Sequence, residues 1–249
     1  MSLRKITTRI WPPVLDKFEE KMEARCLRRD AFLNKVLVSE LNHLDNEVTL
    51  ANSPAAQTFV AERLSQLDPK PVSLALDSQL MDKLDGICER KRIVRDAFFN
   101  RLFLLLAASP QLIDRLFFSA VADDWKRELW KEYESEWPKF FEDTFYPLEQ
   151  GGDPFWAIRD ALEMYSKDMG LRDYTVPETG IVIQVHDDTV TGGGVRPAIS
   201  VYTEMFDNKQ LKLGDLFGTN TYIADWQIPN HPRELAYRQK LDDLLLLKV

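Results

Sequence analysis

Polar and apolar residues alternate near the start of the chain, in Lys5-Ile6-Thr7-Thr8-Arg9-Ile10. On an extended strand this places Ile6, Thr8 and Ile10 on one face and Lys5, Thr7 and Arg9 on the other. The spacing then lengthens to that of a helix. Val14, Leu15, Phe18 and Met22 fall on one helical stripe behind Pro12-Pro13, residues suited to a first turn because their missing N–H groups cost nothing there. After a basic break at 25–28, a second stripe of Phe32, Leu33, Val36, Leu37 and Leu41 predicts a helix from about Arg29 to His43. The same three-part pattern returns later. Pro71-Val72-Ser73-Leu74-Ala75-Leu76 alternates with Val72, Leu74 and Leu76 inward, and Asp77-Ser78 offers capping oxygens to a helix carrying Leu80, Met81, Leu84, Ile87 and Cys88. Phe98, Phe99, Leu102, Phe103 and Leu106 then mark a second helix from about Arg95 to Ala108.

The return is a duplication. Laid over each other at an offset of 66, residues 6–41 and 72–107 align without a gap and share eight identities in 36 positions. Average residue usage gives roughly two by chance. The identical pairs are Asp16/Asp82, Lys17/Lys83, Glu23/Glu89, Arg29/Arg95, Asp30/Asp96, Ala31/Ala97, Phe32/Phe98 and Asn34/Asn100, and apolar positions pair with apolar ones around them. A strand-helix-helix unit of about 40 residues cannot bury its own apolar surface, because one strand has no partner and two short helices cover little area. The copies are therefore expected to pair with each other. Between them, Ser53-Pro54 opens a connecting helix with Phe59, Val60, Leu64 and Leu67 at helical spacing, and Asp68-Pro69-Lys70-Pro71 ends it. A connector over 53–67 is long enough to let the second strand return beside the first.

Strand, helix, helix in tandem resembles the ribbon-helix-helix family of Arc- and MetJ-type repressors. The stretch Arg9-Ile10-Trp11-Pro12-Pro13-Val14-Leu15-Asp16 looks like the family's passage from strand to helix, and Arg29-Asp30-Ala31-Phe32-Leu33-Asn34 is similar to the start of its second helix. The resemblance covers residues 4–108, with repeats at about 4–44 and 70–109. It implies an intrachain pseudo-dimer in which an antiparallel two-stranded ribbon lies over four helices. In that family the outer ribbon face enters the major groove of double-stranded DNA and reads base edges. The implied base readers are Lys5, Thr7, Arg9 and Ser73, because an arginine can fork onto guanine O6 and N7, a lysine can donate to the same edge, and hydroxyls serve either role. Pro71 and Ala75 fill the remaining outer positions without a polar group, so the site should be non-palindromic. Phosphate anchoring at the second helix start, where free N–H groups and the helix dipole favour an anion, falls on Arg28, Arg29 and Arg95, with Val94 opposite Arg28.

Behind residue 109 no family resemblance is visible. Residues 110–249 read as a second, α+β domain, helical over 110–168 and strand-containing over 174–249. Trp130, Tyr133 and Trp137 share one helical face, and a helix is expected from about Phe155 to Lys167. Ile181-Val182-Ile183-Gln184-Val185 and Ala198-Ile199-Ser200-Val201-Tyr202 are strand-rich with Thr191-Gly192-Gly193-Gly194 between them, and a third short strand is expected at Thr221 to Trp226. A docking helix is expected from Arg233 to Lys248. The overall class is α+β, mainly helical.

Charge divides the same way. The chain holds 32 Lys and Arg against 40 Asp and Glu, a net of −8. Residues 1–109 hold 17 against 15 and residues 110–249 hold 15 against 25, so the front can meet a polyanion while the rear suits a protein partner or self-association. Other chemistry is sparse. The two cysteines, Cys26 and Cys88, lack CxxC spacing and read as reduced structural thiols of a cytoplasmic protein. His186-Asp187-Asp188 has no companion ligands, Gly192-Gly193-Gly194 lacks a Lys-Ser/Thr continuation, and no Ser/His/Asp or Cys/His grouping assembles. The expectations are no enzyme, no metal, no cofactor and no membrane span, with apolar runs far too short for a bilayer. Two readings follow: a sequence-specific DNA-binding protein, as a repressor or nucleoprotein-assembly factor, or a non-enzymatic protein-interaction scaffold that keeps the ribbon-helix-helix core as architecture.

Overall fold

The two alternating stretches become the two strands of one ribbon. In a computed structural model that describes residues 2–48, 50–108, 153–156, 158–159, 172–176, 181–185, 217–236 and 238–239, β1 (Leu3–Ile10) pairs antiparallel with β2 (Lys70–Asp77). Ile6, Thr8 and Ile10 of β1 and Val72, Leu74 and Leu76 of β2 are buried, as the alternation requires. The register pairs Thr7 with Ser73, Lys5 with Ala75 and Arg9 with Pro71. Thr7 and Ser73 are also equivalent positions of the duplication, so the ladder and the sequence repeat share one centre.

Beneath the ribbon run α1 (Pro12–Ala24) and α2 (Arg29–Glu47) from the first copy, and α4 (Ser78–Lys91) and α5 (Arg95–Ala107) from the second. Pro12 and Pro13 occupy the first turn of α1, and the Asp77 carboxylate caps α4 by accepting from the Gln79 and Leu80 amides. Both first helices end alike. The amides of Leu27 and Ile93 reach back to the carbonyls of Met22 and Cys88, while Cys26 and Arg92, equivalent residues, take positive φ values of 53° and 49°. This is the left-handed helix ending usually given to glycine. It turns each chain sharply into its second helix.

The predicted apolar stripes form the core. Phe18, Leu33, Leu37 and Leu41 of the first copy and Met81, Leu84, Phe99, Phe103 and Leu106 of the second have no exposed surface. Phe18 meets Phe103 edge-on with ring centroids 4.5 Å apart, an arrangement that favours aromatic pairs beyond their buried area. Contact across the copies is thus what completes the core. At the far end, the Lys91 ammonium donates to the carbonyls of Asp45 and Val48 and so closes the carboxyl end of α2.

The connector is α3 (Pro54–Gln66), capped by the Ser53 hydroxyl, which accepts from the Ala56 amide. Against it lies a segment from the rear of the sequence. Residues Met1–Leu104 and Gly214–Val249 form one compact unit and Leu105–Leu213 another, so the rear block expected at 110–249 is divided, its last part belonging with the repeats. A Cβ on Gly218 would stand 2.5 Å from the Leu64 nitrogen, so only glycine fits where this segment crosses α3. Ile223 and Ile228 bury themselves with Ala56, Val60 and Ala97.

Thr221 to Trp226 is not the expected strand. The Ile223 amide donates to the Asn52 side-chain oxygen at 3.0 Å and the Thr221 carbonyl accepts from the Asn52 amide group at 2.8 Å. A buried asparagine thus does the work of a neighbouring strand, and the segment folds into short 3-10 turns at Phe217–Thr219 and Asp225–Gln227. In the second unit, β4 (Ile181–Val185) appears where the strand-rich run placed it, and its described partner is β3 (Arg172–Val176). A helical turn begins at Trp156. The front of the helical stretch expected over 110–168, the remainder of the helix from Phe155, the run at 198–202, His186-Asp187-Asp188, Gly192-Gly193-Gly194 and the end of the helix from Arg233 lie outside the described residues. The class is α+β, mainly helical.

Candidate nucleic-acid interface

The outer ribbon face carries Lys5, Thr7 and Arg9 from β1 and Pro71, Ser73 and Ala75 from β2. All are exposed except Ala75, which is half-buried. The side chains of Lys5 and Arg9 make no hydrogen bond or ion pair within the described residues. Arg4, by contrast, is held by Asp82 at 2.8 Å and Asp85 at 2.5 Å. The cationic groups on the outer face of β1 are therefore uncommitted among the described residues, and the ribbon is polarised, with cations on one strand and small neutral side chains on the other.

The starts of α2 and α5 flank this ribbon and do more than the sequence reading assigned to them. Each holds the outer edge of the strand from the opposite copy. Asn100 of α5 donates to the Arg9 carbonyl at 2.8 Å and accepts from the Trp11 amide at 2.8 Å, while Asn34 of α2 donates to the Ala75 carbonyl at 3.3 Å and accepts from the Asp77 amide at 2.7 Å. These bonds are equivalent under the repeat. Arg95 likewise donates to the Thr7 carbonyl at 3.4 Å and Arg29 to the Ser73 carbonyl at 2.7 Å. One pair departs from symmetry: Asp30 accepts from the Ala75 backbone amide at 2.9 Å, whereas Asp96 accepts from the buried Thr8 hydroxyl at 2.8 Å. A two-stranded ribbon has two open edges, and these side chains satisfy the backbone groups that would otherwise template another strand.

Arg29 and Arg95 are consequently engaged. Arg29 also meets Glu19 at 2.9 Å and Asp30 at 3.0 Å, and Arg95 lies 3.6 Å from Asp85. Arg28 stands apart from them. It is exposed at the N-cap of α2, and its side chain does not cap the helix. The start of α5 opens beside a depression of about 650 Å³ that it shares with Thr58, Glu62 and Ser65 of α3. Sequence reasoning missed Asp30, Asn34, Asp96 and Asn100 as strand holders. Their signal was present, since all four are among the identities between the copies, with a spacing of one helical turn.

By unit, Met1–Leu104 with Gly214–Val249 holds 21 Lys and Arg against 20 Asp and Glu, and Leu105–Leu213 holds 11 against 20. The acidic excess thus belongs to the unit without the ribbon. Among the described residues no three His, Cys, Asp or Glu side chains stand close enough to hold a metal ion, and no helix is long and apolar enough to cross a membrane. No protein-family model, curated protein or solved structure matches the chain.

Proposed function

We propose that the chain is a sequence-specific DNA-binding protein built as a tandem ribbon-helix-helix pseudo-dimer, acting as a transcriptional repressor or nucleoprotein-assembly factor. The observation that carries this reading is the outer face of β1, where Lys5, Thr7 and Arg9 are exposed on a ribbon narrow enough for the major groove and the two cations have no partner among the described residues. Arg9 forks onto a guanine edge, Lys5 donates to a neighbouring base or phosphate, and Thr7 with Ser73 contributes hydroxyls at the centre. Arg28 and the uncapped start of α2 hold a backbone phosphate. Arg29 and Arg95 assist the phosphate contacts only as far as their bonds to the ribbon allow. The acidic unit, repelled by the duplex, faces a protein partner or a second copy.

The test is selection from a pool of random duplexes at about 50 mM salt, where electrostatic binding is strong. The chain should enrich one short, asymmetric, G-containing motif, and Arg9→Ala should lose about 1–3 kcal/mol of specific binding while the fold persists. Enrichment of nothing, or an Arg9→Ala chain that binds the enriched duplex as wild type does, overturns the reading. Pro71 and Ala75 on the outer face favour a second reading, a protein-interaction scaffold, and selection without enrichment supports it.

A further inference from the structure

We infer that the second copy serves as the holder of the first copy's reading strand, with Asn100 as the principal positioning residue for Arg9 and Thr7. The inference deepens the DNA-binding reading and rests on it for its binding arm. The two copies have diverged on the ribbon face and agreed at the second helix start. Lys5, Thr7 and Arg9 of β1 correspond to Pro71, Ser73 and Ala75 of β2, whereas Arg29, Asp30 and Asn34 correspond to the identical Arg95, Asp96 and Asn100.

The hydrogen bonds explain this contrast. Each holder grips the strand of the other copy, so the α5 set grips β1 and the α2 set grips β2. Asn100 is fully buried and uses both ends of its amide on β1, donating to the Arg9 carbonyl at 2.8 Å and accepting from the Trp11 amide at 2.8 Å. A further bond to the Asp96 carbonyl, at 2.7 Å, fixes the amide orientation. Thr8, fully buried between two readers, donates to Asp96 at 2.8 Å. Its counterpart, Leu74, has no hydroxyl, so β1 has a side-chain tether that β2 lacks. A side chain that must meet a base edge within a fraction of an ångström needs a strand whose carbonyls and amides are themselves fixed. The second copy can lose its own readers without losing its use.

The repeat supplies the control. Asn100→Asp and Asn34→Asp each replace a strand-holding donor by an acceptor, on β1 and β2 respectively, in the full-length chain. Thr8→Val, which makes the β1 position apolar like Leu74, carries the same test if Asn100→Asp does not fold. Two readouts are taken on each: amide hydrogen exchange along β1 and β2, and affinity for the duplex enriched by the wild-type chain relative to a random-sequence duplex of equal length.

With Asn100→Asp, exchange at 7–11 should quicken and the specific-to-random affinity ratio should fall about tenfold or more, while affinity for the random duplex, set by phosphates, stays near wild type. Thr8→Val should move both readouts in the same direction. Asn34→Asp should quicken exchange along 73–77 and change the ratio by less than about threefold. Equal falls in the ratio for the two asparagine variants, or wild-type exchange along β1 in both Asn100→Asp and Thr8→Val, overturn the inference. A wild-type chain that enriches no duplex sinks the DNA-binding reading instead, and exchange along β1 then decides alone whether the second copy holds that strand.

Discussion

The second helix starts with the same run in both copies, and the two runs meet different surroundings. In the first copy Arg28 and Ala31 are exposed, whereas in the second Val94 is half-buried and Ala97 has no exposed surface. The cause is local. Ile223 and Ile228 of the returning segment pack with Ala56 and Val60 of α3 against Ala97, whereas Ala31 is exposed. The face turned toward the ribbon is the same in both copies, since each helix start must satisfy an opposite strand edge. The difference teaches that an identical residue keeps one role where each copy holds the other's strand, as Asn34 and Asn100 do, and takes unlike settings where solvent or the connector meets the helix, as Ala31 and Ala97 do.

Identical residues in unlike settings give the sharpest ways to break that comparison. Ala97→Glu forces a carboxylate into an apolar cluster without a partner and should cost several kcal/mol in urea unfolding, about 3–5 by the measure of other unpaired buried charges; Ala31→Glu should stay within about 0.5 kcal/mol. Equal costs would show that the two helix starts are covered alike. Truncating Phe103→Ala removes the ring that faces Phe18 and should cost about 3–5 kcal/mol, a loss also read by urea unfolding.

Gly218→Ala sharpens the role of the returning segment. Its methyl group would collide with the Leu64 and Arg63 backbone, so the segment should detach, costing about 1–3 kcal/mol and quickening exchange of the Ile223 amide. At the left-handed turn of the first copy, Cys26→Gly relieves an unfavourable φ and should raise stability by about 1 kcal/mol, seen as a higher urea midpoint.

The smallest effect concerns the thiols. Cys26 is exposed, while burial, aided by the Asp85 charge, pushes the Cys88 thiol up to about 12. At pH 8 a maleimide should modify one thiol per folded chain, at Cys26, and two only after denaturation. Because Cys88 ionises more readily unfolded than folded, its contribution to stability is full below the ordinary thiol value and is lost as pH rises from there toward 12.

Much of the first unit was legible because its signals are local or periodic. Alternation revealed both strands and their inward faces, and helical spacing revealed Phe18, Leu33, Phe99 and Phe103 as core. The exposed positions of Lys5, Thr7, Arg9 and Ser73 follow from the same period of two. Thr221 to Trp226 misled because β-prone residues settle in any segment whose backbone groups find partners, and here those partners come from Asn52. Arg29 and Arg95 were readable as cations at helix starts, but their bonds to the Ser73 and Thr7 carbonyls depend on where the opposite strand lies.

By itself, the order of residues determined that two equivalent strand-helix-helix units exist, which faces they bury and which side chains the ribbon turns outward, because those properties depend on neighbours a few positions apart. Only the tertiary structure decided that each helix start clasps the other copy's strand, and that residues 217–228 return to cover α3. Those outcomes depend on hydrogen bonds between residues 41 to 171 positions apart, a distance over which no local period carries information.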